Sequence, residues 1–132
     1  MTLRVEIAAS LDVGEVGAGM RRVIPITGGT FEGPSIRGTV LAGGADWNLT
    51  RPDGVADIWA RYTLRTDDGV LIGIVNAGLV VPQADGSHYA RTVPQFEVAG
   101  EQYAWLRRNI FVGTLASAEG GGAVQLQFFR VT

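Results

Sequence analysis

Asp46, Tyr62, Arg61 and Arg91 are the side chains of this sequence best suited to moving a proton or steadying a developing negative charge. Asp46 stands directly before Trp47 and just after Gly43-Gly44. A carboxyl beside an indole loses solvation, which raises its pKa toward the range of a general acid or base; the same residue would equally serve as an Asx-turn cap of the double-glycine corner. Arg61 and Arg91 fall in the middle of half-apolar segments. There a guanidinium can bind a carboxylate or stabilise an enolate oxygen, or pair on the surface with Asp57 or Glu97. Tyr62 and Asn76 take the more apolar parity of their segments, so their polar ends meet the interior and need either structural partners or a ligand. Trp47, Trp59, Tyr89 and Trp105 offer an aromatic wall for a flat ligand, or ordinary packing. His88, the single histidine, sits beside an expected loop, as a proton shuttle or as a solvated side chain.

Other chemistries lack their residues. One histidine with scattered carboxylates does not supply the three or four ligands of a metal site, so no metal is expected. Without cysteine there is neither a thiolate nor a disulfide, and the eleven basic residues are all arginine, which removes lysine chemistry. Gly33-Pro34-Ser35-Ile36-Arg37-Gly38 lacks the spacing of a nucleophile elbow. Gly14, Gly17 and Gly19 lack the spacing of a dinucleotide loop, and no βαβ unit surrounds them, so no nucleotide cofactor is expected. Arginines alternate with acids in a chain of net charge −2, which disfavours nucleic acid as a partner. Asn48-Leu49-Thr50 matches a glycosylation triplet, and is read as a chance match. Met1 to Ser10 alternates charged and apolar residues, unlike a secretory signal, so a cytoplasmic location is expected.

The elements that must position these groups are strands. A chain of 132 residues suits one domain, 1–132, with one core. Glycine and proline recur as punctuation, with expected turns that include Gly28-Gly29 and Gly43-Gly44, and between them run segments of period-two alternation, clearest at Leu3, Val5, Ile7 and at Ile58, Ala60, Tyr62, Leu64. Eight or nine strands are expected: Leu3 to Ser10, Arg21 to Thr27, Ile36 to Leu41, Ala45 to Arg51, Val55 to Thr66, Val70 to Val81, His88 to Val98, Asn109 to Ala116 and Ala123 to Val131. Val70 to Val81 is apolar on both parities and too short to cross a membrane as a helix, so a second layer or another subunit should cover its outer face. Glu101 to Arg108 is the one helical candidate. So many strands must close or stack to hide their edges. An all-β fold is expected, a single antiparallel barrel of about eight strands sealed by the first and last segments, with a sandwich as the alternative.

Several blocks resemble the family called domain of unknown function 3237. They are Arg22 to Pro34, Gly43-Gly44-Ala45-Asp46-Trp47, Arg51-Pro52-Asp53-Gly54, Ala60 to Gly69, Arg91-Thr92 with Pro94 and Phe96-Glu97, and Tyr103-Ala104-Trp105-Leu106. The resemblance implies a small antiparallel β-barrel. Most relatives have no known activity, and some fungal ones are linked to natural-product ring closure, in which a hydroxyl adds across an activated double bond without a cofactor. This chain departs from the pattern at Trp59, Gly73 and Val75, where relatives usually carry Asp, Tyr and Arg, and at Arg107-Arg108, where Asn and Arg usually follow. If those positions line a cavity, it is drier than in relatives; if they face outward, as the parity of Trp59 with Asp57 and Arg61 favours, they extend an apolar surface for subunit contact.

Three functions fit this reading. A cofactor-free cyclase or isomerase would use Asp46 or Tyr62 for the proton and Arg61 or Arg91 for the enolate, with Trp47, Trp59, Asn76, His88, Tyr89 and Trp105 around the ligand. A lipocalin-like carrier would need the cavity alone. A scaffold would have a filled interior. The expected partners are a small molecule and further copies of the chain, with neither nucleic acid nor membrane.

Overall fold

The structure is a computed structural model that describes residues 1–132. Its elements are β1 (Thr2–Ile7), β2 (Leu11–Glu15), β3 (Met20–Gly33), β4 (Ile36–Val40), β5 (Gly44–Thr50), β6 (Ala56–Thr66), β7 (Leu71–Pro82), β8 (His88–Val98), a 3-10 turn (Ala104–Leu106), β9 (Phe111–Ser117) and β10 (Ala123–Arg130). Neighbouring strands are antiparallel throughout. β1 and β2 follow one another along one edge of β3, and β4 and β5 do the same along its other edge and along β6. The ten segments therefore make a closed eight-strand barrel. The first and last strands seal it, from Thr2↔Gln127 to Glu6↔Ala123, and closure removes the edges that an open sheet would expose.

Alternation sets the faces. On β6, Ile58, Ala60, Tyr62 and Leu64 are buried inside, while Trp59, Arg61 and Arg65 are exposed outside. On β7, Ile72, Ile74 and Asn76 point inward. The outer face of β7 carries Leu71, Val75 and Leu79, so the two-sided apolar run is one buried face and one apolar outer face.

Three sequence expectations change. Gly28-Gly29 is not a turn but lies within β3, where a Cβ on Gly29 would collide with the carbonyl oxygen of Arg4; Gly29 marks a close approach of β3 to its paired neighbour β1. Leu11–Glu15 adds a strand whose side chains are mostly exposed and so lack a clear alternation. The helix expected over Glu101 to Arg108 is only the 3-10 turn. Gln102 and Tyr103 are drawn aside to Asp68 on the β6–β7 turn, at 2.6 and 3.0 Å, which leaves too few residues to nucleate helical turns. No helix is long and apolar enough to cross a membrane.

Candidate functional site

The two halves of the barrel are filled differently. In one, Phe96 packs edge-on against Phe111 at 5.4 Å and Phe128 at 6.0 Å, beside Phe31, Ile36 and Leu106. That half is solid. In the other, smaller side chains leave a cavity of about 140 Å3, lined by residues that include Val5, Ile26, Asp46, Ala60, Tyr62 and Asn76. Ile7, Ile24, Val80, Leu115 and Val124 also line it and are only half-buried, so they mark its mouth.

A register row explains the gap. Ile24, Asp46, Ala60, Asn76 and Pro94 are successive partners across β3, β5, β6, β7 and β8. Ala60 is the smallest of them and leaves free space between the Asp46 and Asn76 side chains. Tyr62, two residues along β6 on the same face, borders that space.

Asp46 is held by an interruption in the sheet. The β5–β6 ladder pairs Asp46 with Ala60 and then resumes only at Leu49 and Asp57. The freed N–H of Trp59 donates to Asp46 Oδ1 at 3.0 Å, and the freed carbonyl of Trp47 accepts from Arg21 at 2.7 Å. Asn48 Nδ2 donates to Asp46 Oδ2 at 3.3 Å and Arg22 donates to Asn48 Oδ1 at 3.2 Å, giving a chain Arg22–Asn48–Asp46. Burial outweighs these hydrogen bonds and the nearby Arg22 and Arg21 charges, so the Asp46 pKa is raised above the ordinary carboxylate value. Asp46 is thus no Asx-turn cap.

Tyr62 Oη and Asn76 Oδ1 are buried with no hydrogen-bond partner, as is Thr92 Oγ1. Native interiors rarely leave such atoms unpaired. Burial also pushes the Tyr62 phenol pKa up, which keeps it a neutral hydrogen-bond donor.

Of the residues singled out from sequence, the structure brings together Asp46, Tyr62 and Asn76. Arg61 and Arg91 are on the outer face; Arg91 donates to the Ala90 carbonyl and lies 4.8 Å from the Tyr89 ring centroid. Trp47 and Trp59 also face outward, their rings edge-to-face at 5.8 Å. His88 and Tyr89 are exposed where β8 begins. Trp105 packs against Phe111 at the aromatic end, 6.2 Å between ring centroids. Each follows from strand parity or from position outside the open half. No three His, Cys, Asp or Glu side chains lie together in a way that could hold a metal ion.

Sequence reasoning passed over Asn48 and Arg22. Asn48 is 5% exposed inside the barrel, out of reach of glycosylation. Its parity with Asp46 was the available signal; the Arg22 pairing needed the β3–β5 register.

A closed antiparallel barrel with a half-open interior cavity and one carboxyl in its wall defines the class of protein. Residues 1–131 match the family described as protein of unknown function (DUF3237), and the chain belongs to it. A UPF0311 protein of Rhodopseudomonas palustris is 35% identical over 128 residues, covering 87% of this chain and 84% of that protein. The crystal structure of a beta-barrel like protein from Acinetobacter baumannii superposes with a TM-score of 0.93 at 34% identity, covering 99% of this chain and 92% of that one. The crystal structure of an enzyme from Penicillium herquei shares the fold with a TM-score of 0.77 at 20% identity, covering 99% and 91%.

Proposed function

We propose that the barrel takes a small, mostly apolar molecule into its cavity and moves a proton on it without a cofactor, with Asp46 as the acid–base group. One observation carries this reading: a single ionisable carboxyl, its pKa raised by burial, shares an apolar cavity with two unpartnered buried polar atoms, Tyr62 Oη and Asn76 Oδ1. Ring closure suits the set. In the addition of a hydroxyl across an activated double bond, the Asp46 carboxylate takes the hydroxyl proton while the oxygen bonds to the β-carbon. The Tyr62 hydroxyl donates to the carbonyl oxygen as enolate charge builds there, a part that Arg61 and Arg91 on the outer face do not take. Asp46 then returns the proton to the α-carbon. Product and substrate are isomers, so no co-reactant is needed, and a simple isomerisation uses the same groups. That the Penicillium protein is described as an enzyme supports chemistry on this fold.

A carrier is the second reading, favoured by the wall itself, since 11 of the 14 lining residues are hydrophobic. The two separate with 2-hydroxyphenyl vinyl ketone, which closes to chroman-4-one and is followed by chromatography against the spontaneous rate. The enzyme reading expects protein-dependent acceleration that Asp46→Asn lowers by about a hundredfold or more while the probe still binds. Binding without acceleration leaves the carrier. The partners proposed are a small molecule inside and a second copy of the chain outside.

A further inference from the structure

We propose that Arg22 is an anion anchor at the cavity mouth, so that the molecule taken up carries a carboxylate or similar anionic group at one end of an apolar body. This rests on the cavity being the ligand site. Arg22 lies on the inward parity of β3, one step beyond Ile24, which lines the mouth. It is half-buried, and its register partner Asn48 is a wall residue of the cavity.

The guanidinium is one hydrogen bond from the cavity wall and largely unused. An arginine has five N–H donors in a fork that fits a carboxylate. The side chain of Arg22 makes a single hydrogen bond, to Asn48 Oδ1 at 3.2 Å, and has no carboxylate within ion-pair distance. Arg51, Arg107 and Arg108 all reach carboxylates, so Arg22 differs from them in standing half-buried without one. Asn48 lies between it and Asp46 and donates to Asp46 while accepting from Arg22. An anion on the solvent side of Arg22 is therefore kept away from the Asp46 carboxyl, while the apolar body continues past Ile24 toward Ala60. The volume of about 140 Å3 suits one aromatic ring or a short chain.

Benzoate and benzamide, alike in shape and different in charge, test this by calorimetry and ligand-observed NMR. Wild type should bind benzoate at least tenfold more tightly than benzamide. Arg22→Met should abolish that preference by weakening benzoate alone, and Arg22→Lys should restore part of it. Benzoate affinity should also fall as ionic strength rises while benzamide affinity holds, a readout that survives if Arg22→Met fails to fold. Equal affinity for both probes, or a preference that persists in Arg22→Met, overturns the anchor and leaves the cavity reading intact. If neither probe binds, the cavity reading falls and the anchor with it.

Discussion

Asp46 and Asn76 are both register partners of Ala60, one reaching it from β5 and the other from β7. Two strand spacings, about 10 Å, separate their backbones, and only a methyl group stands between their side chains. The cavity depends on that methyl. Ala60→Leu should fill the gap and reduce binding of a ring-sized probe such as benzoate by tenfold or more. Melting should show a stability change within about 1.5 kcal/mol, because the added methylenes enter space already empty. Retention of the affinity by a folded Ala60→Leu would place the ligand elsewhere.

Raising the pKa of Asp46 makes its ionisation unfavourable to folding. The neutral form is favoured in the folded state, so its contribution to stability is complete below the unfolded value of 3.8 and is lost as pH rises through the higher folded value. Asp46→Asn removes this dependence. Its melting temperature relative to wild type should therefore climb between pH 3.5 and pH 7 (about the carboxylate range and above), whatever the fixed loss from the altered hydrogen bond to Asn48. Parallel pH profiles for the two proteins would show that Asp46 titrates as an ordinary surface carboxyl.

Tyr62 holds a hydroxyl that the folded chain does not use. Removing a buried, unsatisfied donor relieves a desolvation penalty of about 1–3 kcal/mol, so Tyr62→Phe should be neutral or more stable by about 1 kcal/mol. In a domain of this size that corresponds to a rise in Tm of roughly 4 °C. Ring closure of the vinyl ketone should meanwhile slow by about tenfold or more, since the phenol no longer meets the developing oxyanion. Lower stability in the Phe variant would mean that the hydroxyl has a structural partner.

The barrel was legible because alternation and turn residues are local signals. Ile58, Ala60, Tyr62 and Leu64 announce an inner face by themselves, and parity alone placed Tyr62 and Asn76 within it and Trp59 outside. What could not be read depends on register. Arg22 meets Asn48 because β3 and β5 pair at one offset among many, and nothing in either segment specifies it. The seat of Asp46 is a break in the β5–β6 ladder whose loose ends are capped by Arg21 and by Asp46 itself. Gly28-Gly29 reads ambiguously for a related reason: a glycine pair serves a turn or a close backbone approach, and only the position of β1 distinguishes them.

The outer face of the barrel should hold a second copy of the chain. Trp59, Ala77 and Val93 are successive partners across β6, β7 and β8, and Trp47 on β5 stacks edge-on against Trp59. Trp47 is 41% and Trp59 43% exposed, which leaves about 100 Å2 of each in water. With Leu79, Tyr89 and Val93 they put five exposed apolar side chains on one outer face around Arg91, the kind of surface that serves as the centre of an interface of ~800 Å2 per partner. Arg61 and Glu97, neither in an ion pair within the chain, border it and would satisfy one another across a two-fold axis. Sedimentation should find a dimer or higher assembly at micromolar concentration. Trp59→Asp should dissociate it while each protomer remains folded, because the lost side chain contributes little to the barrel's own core. A wild-type chain that sediments as a monomer at about 100 µM, a concentration at which even a weak specific interface is occupied, would overturn the assignment.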